Sequence, residues 1–457
     1  MNAPSMKLRL PTLWAHQKQT LELLESSPIV FDTSDPGTGK TRVALEAFLR
    51  RGKGKALILA PKTLLESTWA ADIQKWTPSL TYSIAYAENR EEAFEVDADV
   101  YITNIDAVKW LVKQSKKFFA PFTTVVVDES TAYKHRTSNR SKAAAKIIQH
   151  FKHRELMTGT PNSNTVLDLW HQAYLLDGGE RLGKSFFHFR SSVCETKQTG
   201  PRPNHVQWVD KPGAEIVVAN LLQDISVRHQ FDACMDIPAN HRYSVPFKLP
   251  AKAYRKYLEL ERNALLELEK GDITAVHAAS LRTKLLQLAS GAVYYKENEY
   301  EVIDRSRYEL IADLVEARQH SLVFFVWRHQ RDEIAKELNQ RGVVYETIDG
   351  DVPQRRRAQI VEAYQAGFFQ TLLLHPQTGA HGLTLTKGTA TIWASPVYQA
   401  DFLKQGLHRV YRGGQTERTE TILVEAQNTV EQQVYKRLGE KSERMDNFLE
   451  MLRDRQT

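Results

Sequence analysis

A chain of 457 residues is too long for one ordinary domain and points to two or three. Its apolar share of 42% can fill normal cores, yet no apolar run approaches the roughly 18–20 residues of a membrane span, and MNAPSMKLRLPTLW lacks the apolar centre of a secretion signal. The net charge of +6 fits a nucleic-acid binder without requiring one, and the two cysteines, Cys194 and Cys234, match neither metal-ligand spacing nor a disulfide framework, so a reducing interior is the expectation.

Short apolar runs alternate with amphipathic segments, the pattern of parallel α/β sheets. The first run, 28–33, leads into Ser34-Asp-Pro-Gly-Thr-Gly-Lys-Thr41 and then into a helical alternation over 42–49. A glycine-containing turn between strand and helix aims backbone N–H groups and a helix N-terminus at one point, and that geometry binds phosphate. Lys40 would meet the β/γ-phosphates as a point charge, and the Thr41 hydroxyl would ligate Mg²⁺. Ser34 stands where the usual pattern has its first glycine, so alone the stretch also reads as a bare glycine turn.

Within that first run a strand is expected at 29–33, and others at 56–60, 82–86, 100–103, 124–127 and 155–157, with helices at 64–76 and 141–150 among the segments between them. The strand at 124–127 ends in Asp128-Glu129-Ser130. Ligands bind at the C-terminal strand edge of a parallel sheet, so Asp128 there can hold Mg²⁺ and Glu129 can take a proton from an attacking water; an exposed acidic turn is the plainer reading. Met157-Thr158-Gly159-Thr160-Pro161 follows the next strand, either as a plain Gly/Pro turn or as two hydroxyls linking the carboxylates to a bound polymer.

The middle of the chain differs. Residues 162–230 read as irregular and aromatic-rich, 238–250 as a linker, and 250–290 as helical. A second α/β series follows, with strands at 322–327, 343–348, 371–374, 391–394 and 421–424 and helices at 330–340, 354–366 and 401–411. Gln405, Arg409 and Arg412 then fall at helical spacing on one face, where arginines can reach across a cleft to a γ-phosphate or form a solvated basic face. Lys134-His-Arg136 with Arg140 and Lys142, and Arg355-Arg-Arg357, add either electrostatic grip or more solvated surface. A last helix over 430–452 is expected to pack on the fold or to bind a partner.

Taken in order, these motifs resemble helicase superfamily two, specifically its Swi/Snf-like branch of DNA-dependent ATPases, over most of the chain. Leu13-Trp-Ala-His-Gln17 is similar to the family's adenine-reading segment, and Asp35-Pro-Gly-Thr-Gly-Lys-Thr41 to its phosphate loop, which also lacks the first glycine. Leu59-Ala-Pro-Lys62-Thr63, Ile102-Thr103-Asn104, Asp128-Glu129-Ser-Thr and Leu156-Met-Thr-Gly-Thr-Pro-Asn162 resemble the next four motifs. Val227-Arg228-His229, Gln377-Thr-Gly-Ala-His-Gly382 and Gln405-Gly-Leu-His-Arg409-Val-Tyr-Arg412-Gly-Gly-Gln415 resemble later ones. Ser130 and Thr131 depart from the Ala and His of the acidic box, Ala380 from a glycine, and Gly413 from an isoleucine.

The resemblance implies an α/β fold of two RecA-like parallel-sheet motor domains in tandem, with helical insertions between them. The expected division is 1–237, with an insertion near 162–230, and 238–457, preceded by a helical segment near 250–295. It implies ATP between the domains: Gln17 reads adenine, while Asp35, Gly37, Thr38, Gly39, Lys40, Thr41, Gly382 and Gln405 contact the nucleotide. Thr41 and Asp128 hold Mg²⁺, and Lys40, Asp128, Glu129, Arg409 and Arg412 carry catalysis. DNA, mainly double-stranded, is the implied polymer, met by Lys62, Thr63, Thr103, Asn104, Thr160, Trp327, Arg328 and Thr378. The implied work is ATP-driven translocation that remodels DNA or protein–DNA complexes. A strand-separating helicase, a non-catalytic clamp or scaffold, and the motor part of a restriction or recombination machine are the other readings. An intracellular, mainly cytoplasmic setting is expected, with the nucleus open, no membrane, and a protein partner that supplies specificity.

Overall fold

Buried apolar runs assemble into two separate parallel sheets. The computed structural model describes residues 11–162, 164–198, 206–269, 275–296, 299–379 and 383–453. The chain divides into one unit of Met1–Asp236 with Arg444–Thr457 and a second of Ile237–Glu443.

In the first unit the strands are β1 (Ile29–Asp32), β2 (Lys55–Ala60), β3 (Tyr82–Ala85), β4 (Val100–Asn104), β5 (Phe122–Asp128) and β6 (His153–Met157). A hairpin of β7 (Cys194–Gln198) and β8 (Val206–Asp210) follows, and then β9 (Ser226–Val227). The sheet runs β3-β4-β2-β5-β6-β1-β9, with every pairing parallel. Alternation within the apolar runs feeds both faces, as a sheet covered on both sides requires. Leu57, Leu59, Val125 and Val127 enter one core, while Ala56, Ile58, Ala60 and Val126 enter another.

The described residues of the expected insertion near 162–230 are mostly in regular elements. They form helices Leu167–Asp177, Phe186–Val193 and Ala214–Leu222 around the hairpin, and β9 then joins the sheet beside β1. Aromatic residues crowd these helices and hide their period, and a two-residue strand leaves no period to read.

The second unit carries β10 (Asn240–Phe247), a hairpin of β11 (Ala292–Lys296) and β12 (Glu299–Val302), β13 (Ser321–Phe324), β14 (Tyr345–Ile348), β15 (Thr371–Leu374), β16 (Ala390–Trp393) and β17 (Thr419–Ala426). Its main sheet is also parallel, ordered β10-β17-β16-β13-β15-β14. The segment expected as a linker is therefore an edge strand. Its exposed residues do not alternate, and an edge tolerates Pro246, so it lacked the usual strand signal. Arg307 and Glu431 form a fully buried ion pair here at 2.7 Å, and Arg307 also donates to the Ala289 and Val424 carbonyls.

The last helix, Val430–Arg453, begins in the second unit, but Met445, Phe448, Leu449 and Leu452 lie in the core of the first. Residues 444 onward thus group with the first unit rather than with the second, where the sequence reading placed them. The apolar spacing marks a buried face without saying which sheet it covers.

Glu155 on β6 is buried with neither carboxylate oxygen hydrogen-bonded among the described residues. Burial, with Asp32 and Asp128 adding to it and Arg51 opposing, pushes its carboxyl from 4.5 up to about 8. A raised acid favours the proton in the folded state, so its contribution is full below the unfolded value and is lost as pH rises through the folded one. Across that window the protein is expected to lose roughly 1.4 kcal/mol of stability per pH unit relative to Glu155→Gln. Denaturant midpoints of both proteins against pH check the difference in slope; parallel curves contradict it.

Candidate active site

The turn after β1 has the shape a phosphate needs. Gly37 and Gly39 sit at φ +88° and +85°, a region closed to most side chains, and the helix Lys40–Arg51 starts at once. A Cβ on Gly39 would also collide with the Gln17 amide. Gln17 is itself fixed: its carbonyl oxygen accepts from the Trp14 N–H (3.1 Å) and its amide donates to the Thr38 carbonyl (3.3 Å). His16 Nε2 donates to the same carbonyl at 2.9 Å, and the buried Thr38 hydroxyl donates to the Asp35 carbonyl at 2.9 Å. The Lys40 ammonium lies folded back on the loop, donating to the Ser34 (2.6 Å) and Asp35 (3.1 Å) carbonyls.

Asp35, expected at the nucleotide, faces another way. Its carboxylate pairs with Arg228 at 2.8 Å and accepts from the Phe231 N–H at 3.0 Å. Arg228 also donates to the Thr33 carbonyl (2.7 Å), the Asp35 N–H to the His229 carbonyl (3.0 Å), and the His229 N–H to Ser34 Oγ (3.1 Å). Asp35 is thus a strut of the loop. Arg228 was legible only as part of a family-like segment and carried no role in the sequence reading.

Asp128 ends β5 on the face it shares with Val126, and its Oδ2 accepts from the Trp69 indole N–H at 3.1 Å. Burial pushes its carboxyl above the ordinary value, while the Trp69 hydrogen bond and the Lys40 charge pull the other way. Thr41 lies in the first turn of the phosphate-loop helix. One hydroxyl and one carboxylate are the protein ligands that Mg²⁺ takes when phosphates and water supply the rest, so this donor set fits the ion. Glu129 adopts the left-handed backbone (φ +56°), which for a side chain this large costs about 1–3 kcal/mol and is typical of functional positions. Ser130, the departure from the family's acidic box, donates to Gln172 Oε1 (2.7 Å), and Gln172 donates on to the Pro161 carbonyl (2.8 Å). Gly159 in that turn faces the Pro36 ring, which an added Cβ would meet at 2.8 Å.

In the second unit the arginine segment departs from expectation. The helix is Ala400–Leu407, so Arg409 and Arg412 lie beyond it and share no helix face. His408 turns the chain, its Nδ1 bonding the Tyr411 carbonyl at 3.0 Å, and Gly414 at φ +96° completes the reversal. The two guanidinium groups are instead brought together by one acceptor: both donate to the Leu383 carbonyl at 3.1 Å, and Arg409 also to the Gln405 carbonyl at 2.9 Å. Gln405 is buried, and Gly382 lies outside the described residues.

The expected polymer contacts divide. Lys62 is exposed with its ammonium 4.7 Å from the Tyr86 ring centre, and Thr63 is half-buried beside it. Asn104 is half-buried and accepts from Arg90 (3.1 Å). Thr103, expected at the polymer, is instead fully buried, with its hydroxyl donating to the Ala85 carbonyl of β3, because β4 is covered on both faces. Thr160 is buried as well. Trp327, Arg328 and Thr378 line one cavity of about 370 Å³, together with Tyr294 and His375. Of the run at 355–357, Arg357 is spent on the Val352 and Asp349 carbonyls, and Arg356 pairs with Glu346.

Residues 19–290 match the SNF2-related domain, and residues 306–414 match the helicase conserved C-terminal domain. The chain belongs to the SNF2-related family. It carries that family's helicase-like ATPase domains, and membership brings ATP use with it. The chain is 28% identical to a putative protein, p41, of Acyrthosiphon pisum secondary endosymbiont phage 1, over 91% of this chain and 93% of that one. It is 25% identical to a SWI/SNF-related, matrix-associated, actin-dependent regulator of chromatin (subfamily A-like protein 1) of Xenopus tropicalis, over 89% of this chain. It is 23% identical to a putative ATP-dependent helicase/translocase of Bacillus subtilis, over 91% of this chain. It spans 42% of the frog protein and 46% of the Bacillus protein. Among solved structures, the Sulfolobus solfataricus SWI2/SNF2 ATPase core in complex with dsDNA aligns at a TM-score of 0.44 and 19% identity, covering 96% of this chain and 92% of that one. No described helix is long and apolar enough to cross a membrane.

Removing one partner of a buried ion pair leaves a charge uncompensated, which costs about 3–5 kcal/mol. Arg228→Ala in this SNF2-related chain is therefore expected to lower stability by that amount and to weaken ATP binding at least tenfold. The double variant with Asp35→Ala should recover part of the stability loss. Denaturation and nucleotide titration check both, and strict additivity of the two single losses contradicts the pairing.

Proposed function

We propose that the chain is an ATP-driven motor that moves along DNA, mainly double-stranded, and remodels DNA or protein–DNA complexes. One observation carries this reading: Lys40 sits at the mouth of a glycine turn, on the same sheet edge that presents Asp128 and Glu129. In this reading Gln17 selects adenine and Lys40 moves from the loop carbonyls to the phosphates. Thr41 and Asp128 hold Mg²⁺, which neutralises charge on the transferring phosphoryl group. The left-handed backbone of Glu129 aims its carboxylate at the attacking water, from which it takes the proton.

Arg409 and Arg412, paired on the Leu383 carbonyl, stabilise the developing negative charge from the second motor half. A positioned arginine typically contributes ~10³–10⁵ in phosphoryl-transfer rate. The motor halves are assigned to 1–237 and 238–457, with the end of the last helix, from residue 444, packing in the core of the first. Lys62, Thr63, Asn104, Trp327, Arg328 and Thr378 contact the sugar–phosphate backbone, which positions a protein without reading sequence. A protein partner supplies specificity, and the setting is intracellular. Two of its relatives, a regulator of chromatin and a putative helicase/translocase, are named for work of this kind.

Lys40→Ala and Glu129→Gln are each expected to abolish DNA-stimulated hydrolysis. Arg412→Ala should lower the rate roughly 10³-fold while ATP still binds. Hydrolysis measured with no polymer, single-stranded DNA, duplex DNA and RNA at one salt concentration should be fastest on duplex. Displacement of a triplex strand without unwinding of a fork supports translocation. Equal rates on all polymers, or near-normal turnover by Arg412→Ala, contradict the proposal.

A further inference from the structure

Arg136, Phe186, Phe187, Arg190 and Trp208 form a ledge on the first unit that none of the motor chemistry uses. The Arg136 guanidinium lies 4.5 Å from the Phe186 ring centre and 4.8 Å from that of Phe187. Arg190 lies 4.0 Å from the Trp208 ring centre and 5.3 Å from that of Phe187. Among the described residues neither arginine takes part in an ion pair, and Arg190 Nε is buried with no hydrogen-bond partner. The Lys211 ammonium beside them donates to the backbone carbonyls of Ser191 and Ser192. Among the described residues the positive charge of the ledge is thus held by rings and backbone, with no carboxylate paired to it.

Phe187 stands between the two guanidinium groups with 57% of its surface exposed. A phenylalanine left this exposed on a rigid support offers an open apolar surface beside the two charges. The support is rigid: Phe186 packs edge-on against Trp170 at 5.5 Å, and the Trp170 indole donates to the Gly183 carbonyl at 3.0 Å. The ledge is also well placed. Arg136 lies in the segment leaving β5, and Trp170 in the first turn of the helix that follows β6, so both belong to the C-terminal edge of the sheet where Asp128 and Glu129 lie.

An exposed aromatic face flanked by unneutralised guanidinium groups matches the chemistry of one unpaired nucleotide. The base stacks on the ring and its phosphates meet the charges. A base inside a duplex offers no free face, so the platform selects DNA with a single-stranded stretch. We propose that Phe187, with Arg136 and Arg190, is a stacking platform for an unpaired nucleotide next to a duplex. This rests on the DNA reading above and adds to it a preference for single-strand/double-strand junctions.

The test is fluorescence anisotropy of the full chain with a blunt duplex and with the same duplex carrying a single-stranded tail, at one salt concentration. The wild type is expected to bind the tailed duplex about tenfold more tightly. Phe187→Ala should remove that preference while leaving blunt-duplex affinity unchanged, and Phe187→Trp should retain it. Arg190→Gln should flatten the salt dependence of tail binding by about one unit of log–log slope. Equal affinity of the wild type for both duplexes, or a preference that survives Phe187→Ala, overturns the platform while leaving the motor reading intact. Failure to bind either duplex overturns both. Binding of polyglutamate in place of the tail assigns the ledge to an acidic protein segment and overturns the proposal.

Discussion

The buried ion pair between Arg228 and Asp35 is the constraint on which the phosphate loop depends. A loop that receives several negative charges has to hold its N–H groups in position beforehand, because ordering it on binding would consume affinity. Two glycines at positive φ make this loop possible, but glycine also makes it floppy. Stiffness comes from a segment 195 residues away in sequence, where Arg228 reaches the Thr33 carbonyl and the backbone of Val227 and His229 bonds the loop's opening residues. β9 exists to deliver that segment: two residues of parallel pairing beside β1 suffice to set its register. On the other side the amide of Gln17 and the ring of His16 close on the Thr38 carbonyl.

Local chemistry was legible in the sequence, and long-range placement was not. The central strands were readable because a sheet covered on both faces needs continuous apolar runs, and 124–127 and 371–374 are such runs. The phosphate loop and the carboxylates after β5 were readable because their residue types carry their geometry. The role of Asp35 was not, since nothing near it in sequence announces a guanidinium from residue 228. β10 was hidden for the opposite reason: an exposed edge strand containing proline reads like a linker. Thr103 and Thr160 show a third limit. A hydroxyl at a strand end points to the polymer or into the fold according to a single residue of register.

The arginine segment and the acidic box carry the same lesson about spacing. Arg409 and Arg412 are three apart, a helical interval, yet the helix stops at Leu407 and a shared carbonyl at Leu383 does the gathering. Ser130 stands where the resembled acidic box has Ala, and its hydroxyl is linked to the Met157–Pro161 turn through Gln172.

A crystal structure of the full chain with Mg²⁺ and a non-hydrolysable ATP analogue tests the central claim most directly. The account predicts that the Lys40 ammonium leaves the Ser34 and Asp35 carbonyls for the β/γ-phosphates while the Asp35–Arg228 pair stays closed, because the loop is built before its ligand arrives. A nucleotide bound elsewhere with Lys40 still on the loop carbonyls, or an Asp35–Arg228 pair that opens to admit the phosphates, would contradict it.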